Sequence, residues 1–131
     1  MLYHLRGTLE RKTPTYVVMD CGGVGYLIHI SLTTFGQLPD LGKAELLLHP
    51  VYREDAQLLF GFATELERDV FVLLNSVSGV GASTARVILS TLRPEEALSV
   101  IANGDSVSLQ RIKRIGAKTA QRIIIDIRDK A

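Results

Sequence analysis

Val77-Ser78-Gly79-Val80-Gly81-Ala82-Ser83-Thr84-Ala85-Arg86-Val87-Ile88 is matched 35 residues later by Ile112-Lys113-Arg114-Ile115-Gly116-Ala117-Lys118-Thr119-Ala120-Gln121-Arg122-Ile123. The pairs Gly81/Gly116, Ala82/Ala117, Thr84/Thr119, Ala85/Ala120 and Ile88/Ile123 are identical. Each copy has helix-forming sequence before it and after it. Between lies a tight turn with an apolar residue, Val80 or Ile115, set between two turn positions. Two such copies in register form a supersecondary repeat, the helix-hairpin-helix pattern.

A turn of this kind suits a phosphate. The helix after it starts with backbone N–H groups that have no partner inside the helix. The helix dipole adds positive potential at the same end. Glycines at 79, 81 and 116 let a phosphate approach the backbone closely. Val80 and Ile115 are placed to plug the turns into a core. Ser83, Thr84, Lys118, Thr119 and Arg122 fall in the first turns that follow, where side chains can add contacts. Backbone and Lys/Arg contacts to phosphate position a duplex without reading its bases. The binding expected is therefore independent of sequence and sensitive to salt. A single such turn reads more simply as a plain helical hairpin. Two in register, with a basic run on one, favour phosphate.

Outward from the repeat, residues 63–131 all read as helices. Thr64-Glu65-Leu66-Glu67 has the form of a capping box. Arg93-Pro94-Glu95-Glu96 opens another helix, with proline early and acids in the first turn. Asp105 is placed to cap a short helix through Ile112, and 117–127 makes the last one. Residues 1–62 have a different period. Tyr3–Glu10, Tyr16–Met19, Tyr26–Ile30, Glu45–Leu48 and Leu58–Phe62 are five candidate strands. A short helix over Ser31–Leu38 stands between the third and fourth. Three strands, a helix and two strands is the order of an OB-type barrel, with a small open sheet of other topology as the alternative. The expected fold is thus α+β: a five-stranded OB-type barrel over 1–62, then a helical domain over 63–131 carrying two helix-hairpin-helix motifs.

Composition bounds the function. The 131 residues are 47% hydrophobic with 11 Gly and 4 Pro, which is globular usage. The formal net charge is +1, so any nucleic-acid site has to be a local patch. Arg111, Lys113, Arg114, Lys118 and Arg122 supply one, since no acid occurs between 111 and 122. A solvated helix face is the other reading of that run. A single cysteine, Cys21, excludes an internal disulfide and a cysteine-rich zinc site, and reads as an inert structural thiol. His4, His29 and His49 are dispersed and read as core or surface residues. No phosphate-loop motif is present, so ATP hydrolysis is not expected. Gly22-Gly23-Val24-Gly25 precedes a strand, which makes it a hairpin turn and not a dinucleotide loop. No apolar run reaches the roughly 18 residues of a membrane span, and the start of the chain lacks a signal-peptide pattern. No cofactor is expected, and the expected location is the cytoplasm.

Leu5-Arg6-Gly7, Gly22-Gly23-Val24-Gly25-Tyr26, the block Arg53-Glu54-Asp55-Ala56-Gln57-Leu58-Leu59-Phe60-Gly61-Phe62, Gly79-Val80-Gly81 and Ile115-Gly116-Ala117-Lys118-Thr119-Ala120-Gln121-Arg122 occur in this order. Together they resemble the RuvA family, bacterial subunits that bind Holliday junctions, over essentially the whole chain. The 53–62 block is the most specific part. The resemblance implies a homotetramer, or a face-to-face octamer, that holds a four-way junction open and nearly square. It implies that Glu54 and Asp55 form an acidic pin at the crossover; by themselves they read as an ordinary solvated turn. Its implied partners are four-way junction DNA, the RuvB motor and the RuvC resolvase, with no membrane and no catalysis by this subunit. Its DNA-binding residues map onto Gly79, Val80, Gly81, Ser83, Thr84, Arg114, Ile115, Gly116, Lys118, Thr119 and Arg122.

Three departures stand out. The family usually has glycine where this chain has Arg114, which is strained if the turn needs positive φ. Relatives often carry lysine where this chain has Ser83. The family continues into a small helical domain that binds RuvB, so a chain ending at Ala131 is expected to bind junctions without recruiting the motor. Two rival readings remain on the residues alone. One is a repair glycosylase or nuclease that grips DNA through the hairpins, with Asp105 or Asp126 as the nearest acids. The other is a generic duplex-binding or protein-binding helical module.

Overall fold

The computed structural model describes residues 2–130, and the chain divides into two compact units, Met1–Arg68 and Asp69–Ala131. The first unit contains β1 (His4–Lys12), β2 (Tyr16–Cys21), β3 (Val24–His29), α1 (Leu32–Gln37), β4 (Gly42–Tyr52) and β5 (Gln57–Phe62). The strands close into a barrel in the order β1-β2-β3-β5-β4. Neighbours are antiparallel except β3 and β5, which pair in parallel at His29 and Phe60. This is the strand order of an OB-type barrel, with α1 placed after the third strand. β4 runs well beyond the Glu45–Leu48 stretch that announces it, because ladder pairing continues through exposed Lys43 and Tyr52.

Alternation along the strands fills the barrel. Leu9, Val17, Met19, Ile28, Ile30, Leu46 and Leu48 form its core, while Leu27, between two core positions, is exposed. β1 serves two neighbours by bending: its register against β2 shifts between Leu9 and Arg11, so Glu10 is an extra residue of a bulge. At Gly7 a Cβ would lie 2.3 Å from the Asp20 carbonyl oxygen, so the strands close only over glycine. Gly22 and Gly23 have φ of +62° and +94°, the two positive values that a tight I′ hairpin between Cys21 and Val24 requires.

Thr64 opens α2 (Glu65–Asn75) and accepts from the Glu67 N–H at 3.2 Å, as the capping box requires. The Glu67 side chain, however, turns inward. One carboxylate oxygen accepts from the Ser31 hydroxyl and the other from the Thr34 hydroxyl at 2.5 Å. The Ser31 oxygen also caps α1 by accepting from the Thr34 N–H at 3.0 Å, and the Thr34 oxygen accepts from the Ala63 N–H at 3.0 Å. Ser31, Thr34 and Glu67 are all buried. Burial raises the Glu67 pKa, and the two hydroxyl donors pull it back part of the way.

The second unit holds the rest of α2, α3 (Ala82–Thr91), α4 (Pro94–Ala102), α5 (Ser106–Gln110) and α6 (Ala117–Arg128). Ile88, Leu89, Ile101, Leu109, Ile123 and Ile127 are among its core side chains. α4 starts as the sequence indicates, with the Glu96 carboxylate accepting from the Arg93 N–H at 3.2 Å. Asp105 caps α5, accepting from the Ser108 N–H at 3.1 Å and from its hydroxyl at 2.6 Å. Among the described residues no helix is long and apolar enough to cross a membrane.

Candidate nucleic-acid interface

The repeat in sequence is a repeat of backbone conformation. In the first hairpin the Val80 N–H donates to the Val77 carbonyl at 3.0 Å, and Gly79 sits at φ +90°. Gly81 then caps α3 in extended conformation, its carbonyl accepting from the Ala85 N–H at 2.9 Å. In the second hairpin the Ile115 N–H donates to the Ile112 carbonyl at 3.2 Å, and Arg114 sits at φ +74°. Gly116 caps α6, its carbonyl accepting from the Ala120 N–H at 3.0 Å. Val80 and Ile115 are 4% and 5% exposed, so each plugs its turn into the core.

The helix starts stay open. Neither α3 nor α6 has a side-chain cap, because Gly81 and Gly116 hold the cap positions. A Cβ built at 79, 81 or 116 would meet nothing within 4 Å. First-turn N–H groups of two helices are therefore available at a surface that an anion can reach. Arg114 takes the left-handed conformation that the turn demands and is the one non-glycine to do so among the described residues. The strain foreseen for it is real, and the turn keeps its form.

The two hairpins meet across a cleft of about 290 Å³ lined by Ser78 and Gly79 from the first turn and Lys118, Thr119 and Arg122 from α6. The Arg122 guanidinium donates to the Ser78 hydroxyl at 3.4 Å. Lys118 and Arg122 are exposed, giving the cleft a positive wall. Of the residues singled out from sequence, Gly79, Lys118, Thr119 and Arg122 converge here. Val80 and Ile115 lie behind the turns, Gly81 and Gly116 form the caps, and Ser83 and Thr84 occupy the first turn of α3. Arg114 stands at the second turn. Ser78 joins the cleft without being one of the residues that the sequence marks as a site. Its place just before the glycine of the first turn is the signal that points to it.

Glu54 and Asp55 belong to the first unit. They are exposed in a two-residue loop between β4 and β5, closed by the Arg53 N–H to the Ala56 carbonyl at 2.7 Å and the reciprocal bond at 3.4 Å. Neither has positive φ, so the loop is not of the I′ or II′ kind that matches strand twist. Of the rival acids, Asp105 is committed to its cap, and Ser108 holds its pKa low through two hydrogen bonds. Asp126 lines a groove on α6 together with Lys118, Gln121, Arg122 and Ile125. Burial and then the Asp20 charge raise the Cys21 thiol pKa, which disfavours thiolate. No three of the described His, Cys, Asp and Glu residues group as a metal site.

Fold and site define a class: an OB-type barrel followed by a tandem helix-hairpin-helix unit. Residues 1–61 match the family model described as RuvA N terminal domain, and residues 71–129 match SAM-like Helix-hairpin-helix tandem. Three curated relatives carry the name Holliday junction branch migration complex subunit RuvA. The one from Christiangramia forsetii is 52% identical over 99% of this chain and 67% of its own length. The one from Flavobacterium psychrophilum is 48% identical over 99% and 67%. The one from Bacteroides thetaiotaomicron is 45% identical over 99% and 65%. The chain belongs to the RuvA family, and it spans about two thirds of the length of these relatives.

Proposed function

We propose that the chain is a non-catalytic DNA-binding subunit that grips four-way junctions through the phosphate backbone of their arms. The observation that carries this reading is the pair of conformationally equal hairpins with open helix starts and a shared cationic cleft. Such a surface binds phosphate and carries no base-reading element, so the grip is independent of sequence. Gly79, Val80, Gly81, Ser83, Thr84, Arg114, Ile115, Gly116, Lys118, Thr119 and Arg122 form it, either by contact or by holding the turns.

Preference for a junction over duplex needs a second device, and Glu54 and Asp55 supply it. In a homotetramer four copies of the loop meet at the crossover and present eight carboxylates there. Their charge repels phosphate at the centre and directs each arm outward, which costs affinity and yields selectivity for the branched form. The names of the relatives place them in a branch migration complex. Family membership supports the same role for this chain beside a RuvB motor, and the resemblance alone extends it to a RuvC resolvase and to the cytoplasm. A stacked octamer of two tetramers is the larger assembly compatible with that role.

The test is an anisotropy titration of a labelled four-way junction with the chain and with Lys118→Ala/Arg122→Ala over a salt series. The intact chain is expected to bind with a steep loss of affinity as salt rises. The double variant is expected to bind more weakly and with a shallower slope. Salt-independent binding, or equal binding by the double variant, contradicts the reading.

A further inference from the structure

Strand pairing gathers several features at one end of the barrel. β4 ends at Tyr52 and β5 begins at Gln57, and these two form the last rung below the Arg53–Ala56 loop. β2 ends at Cys21, and β3 starts at Val24 across the Gly22-Gly23 turn. β3 and β5 are parallel, so that turn and the loop lie at the same end. This end carries the carboxylates of Glu54 and Asp55. It also carries two large apolar side chains in solvent, Val24 at 53% and Tyr52 at 60% exposure.

Tyr52 is the aromatic one of the pair. Leu46, Leu48 and Pro50 are the buried residues of β4, so Tyr52 continues the inward series one step past the barrel. Its ring stands on the rim instead of in the core. The other three tyrosines are engaged: Arg68 lies over Tyr3, Arg11 lies over Tyr16, and Tyr26 packs on the barrel core. Among the described residues the Tyr52 side chain has no ring partner, no cation over it and no hydrogen bond. An unengaged aromatic ring thus borders the acidic loop.

Repulsion of phosphate leaves one task undone at a crossover. Exchange of partners at a branch point opens base pairs, and an opened base loses its stacking neighbours. Carboxylates offer such a base no π-face. A tyrosine ring does, and it accepts any base because every base has a π-face, so the grip stays independent of sequence. We infer that Tyr52 is a base-stacking residue of the crossover, receiving nucleotides that come unpaired beside Glu54 and Asp55. This rests on the junction reading and on the pin role proposed above, and it adds a residue that neither includes.

The test compares the chain with Tyr52→Phe, Tyr52→Leu and Tyr52→Ala. Each is titrated against a labelled four-way junction with unpaired nucleotides at its crossover, a fully paired junction, and a duplex of the same length. Thermal midpoints and assembly mass are measured alongside. Because Tyr52 is exposed, all three variants are expected to fold and assemble as the intact chain does. Tyr52→Ala and Tyr52→Leu should bind the unpaired junction about tenfold more weakly. Tyr52→Phe should keep its affinity, and duplex binding should not change. With 2-aminopurine as an unpaired crossover base, the Tyr52→Ala complex should fluoresce more brightly than that of the intact chain, because stacking quenches this base. Unchanged junction affinity in Tyr52→Ala, with the intact chain still preferring junction to duplex, would overturn this inference alone. An equal loss on duplex, or a changed assembly mass, would assign the ring to folding or subunit contact and overturn it too. Equal binding of junction and duplex by the intact chain would overturn the junction reading and this inference with it.

Discussion

Arg114 shows how a single backbone position reports on function. Its repeat partner is a glycine, and a side chain at positive φ costs about 1 kcal/mol. Arg114→Gly is therefore expected to raise stability by roughly 1 kcal/mol, read as a higher urea midpoint with unchanged slope; an unchanged or lower midpoint contradicts the strain. Glu67 is the second informative residue. Burial raises its pKa above the ordinary 4.5, so between that value and its folded pKa the folded state binds more protons than the unfolded chain. Stability from this group is then full below the unfolded value and is lost as pH rises through the folded one. Urea midpoints from pH 4 to 8 should show the advantage of the intact chain over Glu67→Gln shrinking as pH rises. An advantage that grows with pH would show that the Ser31 and Thr34 hydroxyls outweigh burial.

At the scale of elements, Val80 and Ile115 hold each turn against the core. Ile115→Ala removes a side chain that is 5% exposed, and it is expected to cost about 2–4 kcal/mol. It should also weaken DNA binding, because the open N–H groups of α6 keep their aim only while the turn is rigid. Chemical denaturation beside an anisotropy titration reads both effects. Element type was legible wherever one local rule decides it. Alternation marks Val17, Met19, Ile28 and Ile30, the glycine pair marks the β2–β3 hairpin, and Asp105 marks α5. Element ends were less legible, since β4 is extended by pairing partners that lie far away in the chain. The Thr64–Glu67 box was half right: the backbone bond forms, but the Glu67 carboxylate finds better donors in Ser31 and Thr34, more than 30 residues earlier. A local motif does not report such competition.

At the scale of the whole molecule, the repeat revealed the two turns but not how they pack against each other. The Ser78–Arg122 contact spans 44 residues, and the cleft it closes is a product of tertiary packing. Glu54 and Asp55 are an ordinary exposed turn taken alone, and the pin role proposed for them rests on the resemblance of the surrounding block. That role predicts a specific separation. Glu54→Gln/Asp55→Asn should leave duplex affinity equal or higher, because repulsion has been removed, while the ratio of junction to duplex affinity falls. A loss of both affinities together would assign the loop to folding or assembly. The central claim, that the chain selects branched over linear DNA, is tested most directly by gel-shift competition. A labelled four-way junction is challenged with unlabelled junction or with unlabelled duplex of the same length, in Mg²⁺ and moderate salt. The account predicts that the junction displaces the label at far lower concentration than the duplex. Displacement at equal concentrations would contradict it and leave the hairpins as general phosphate grips.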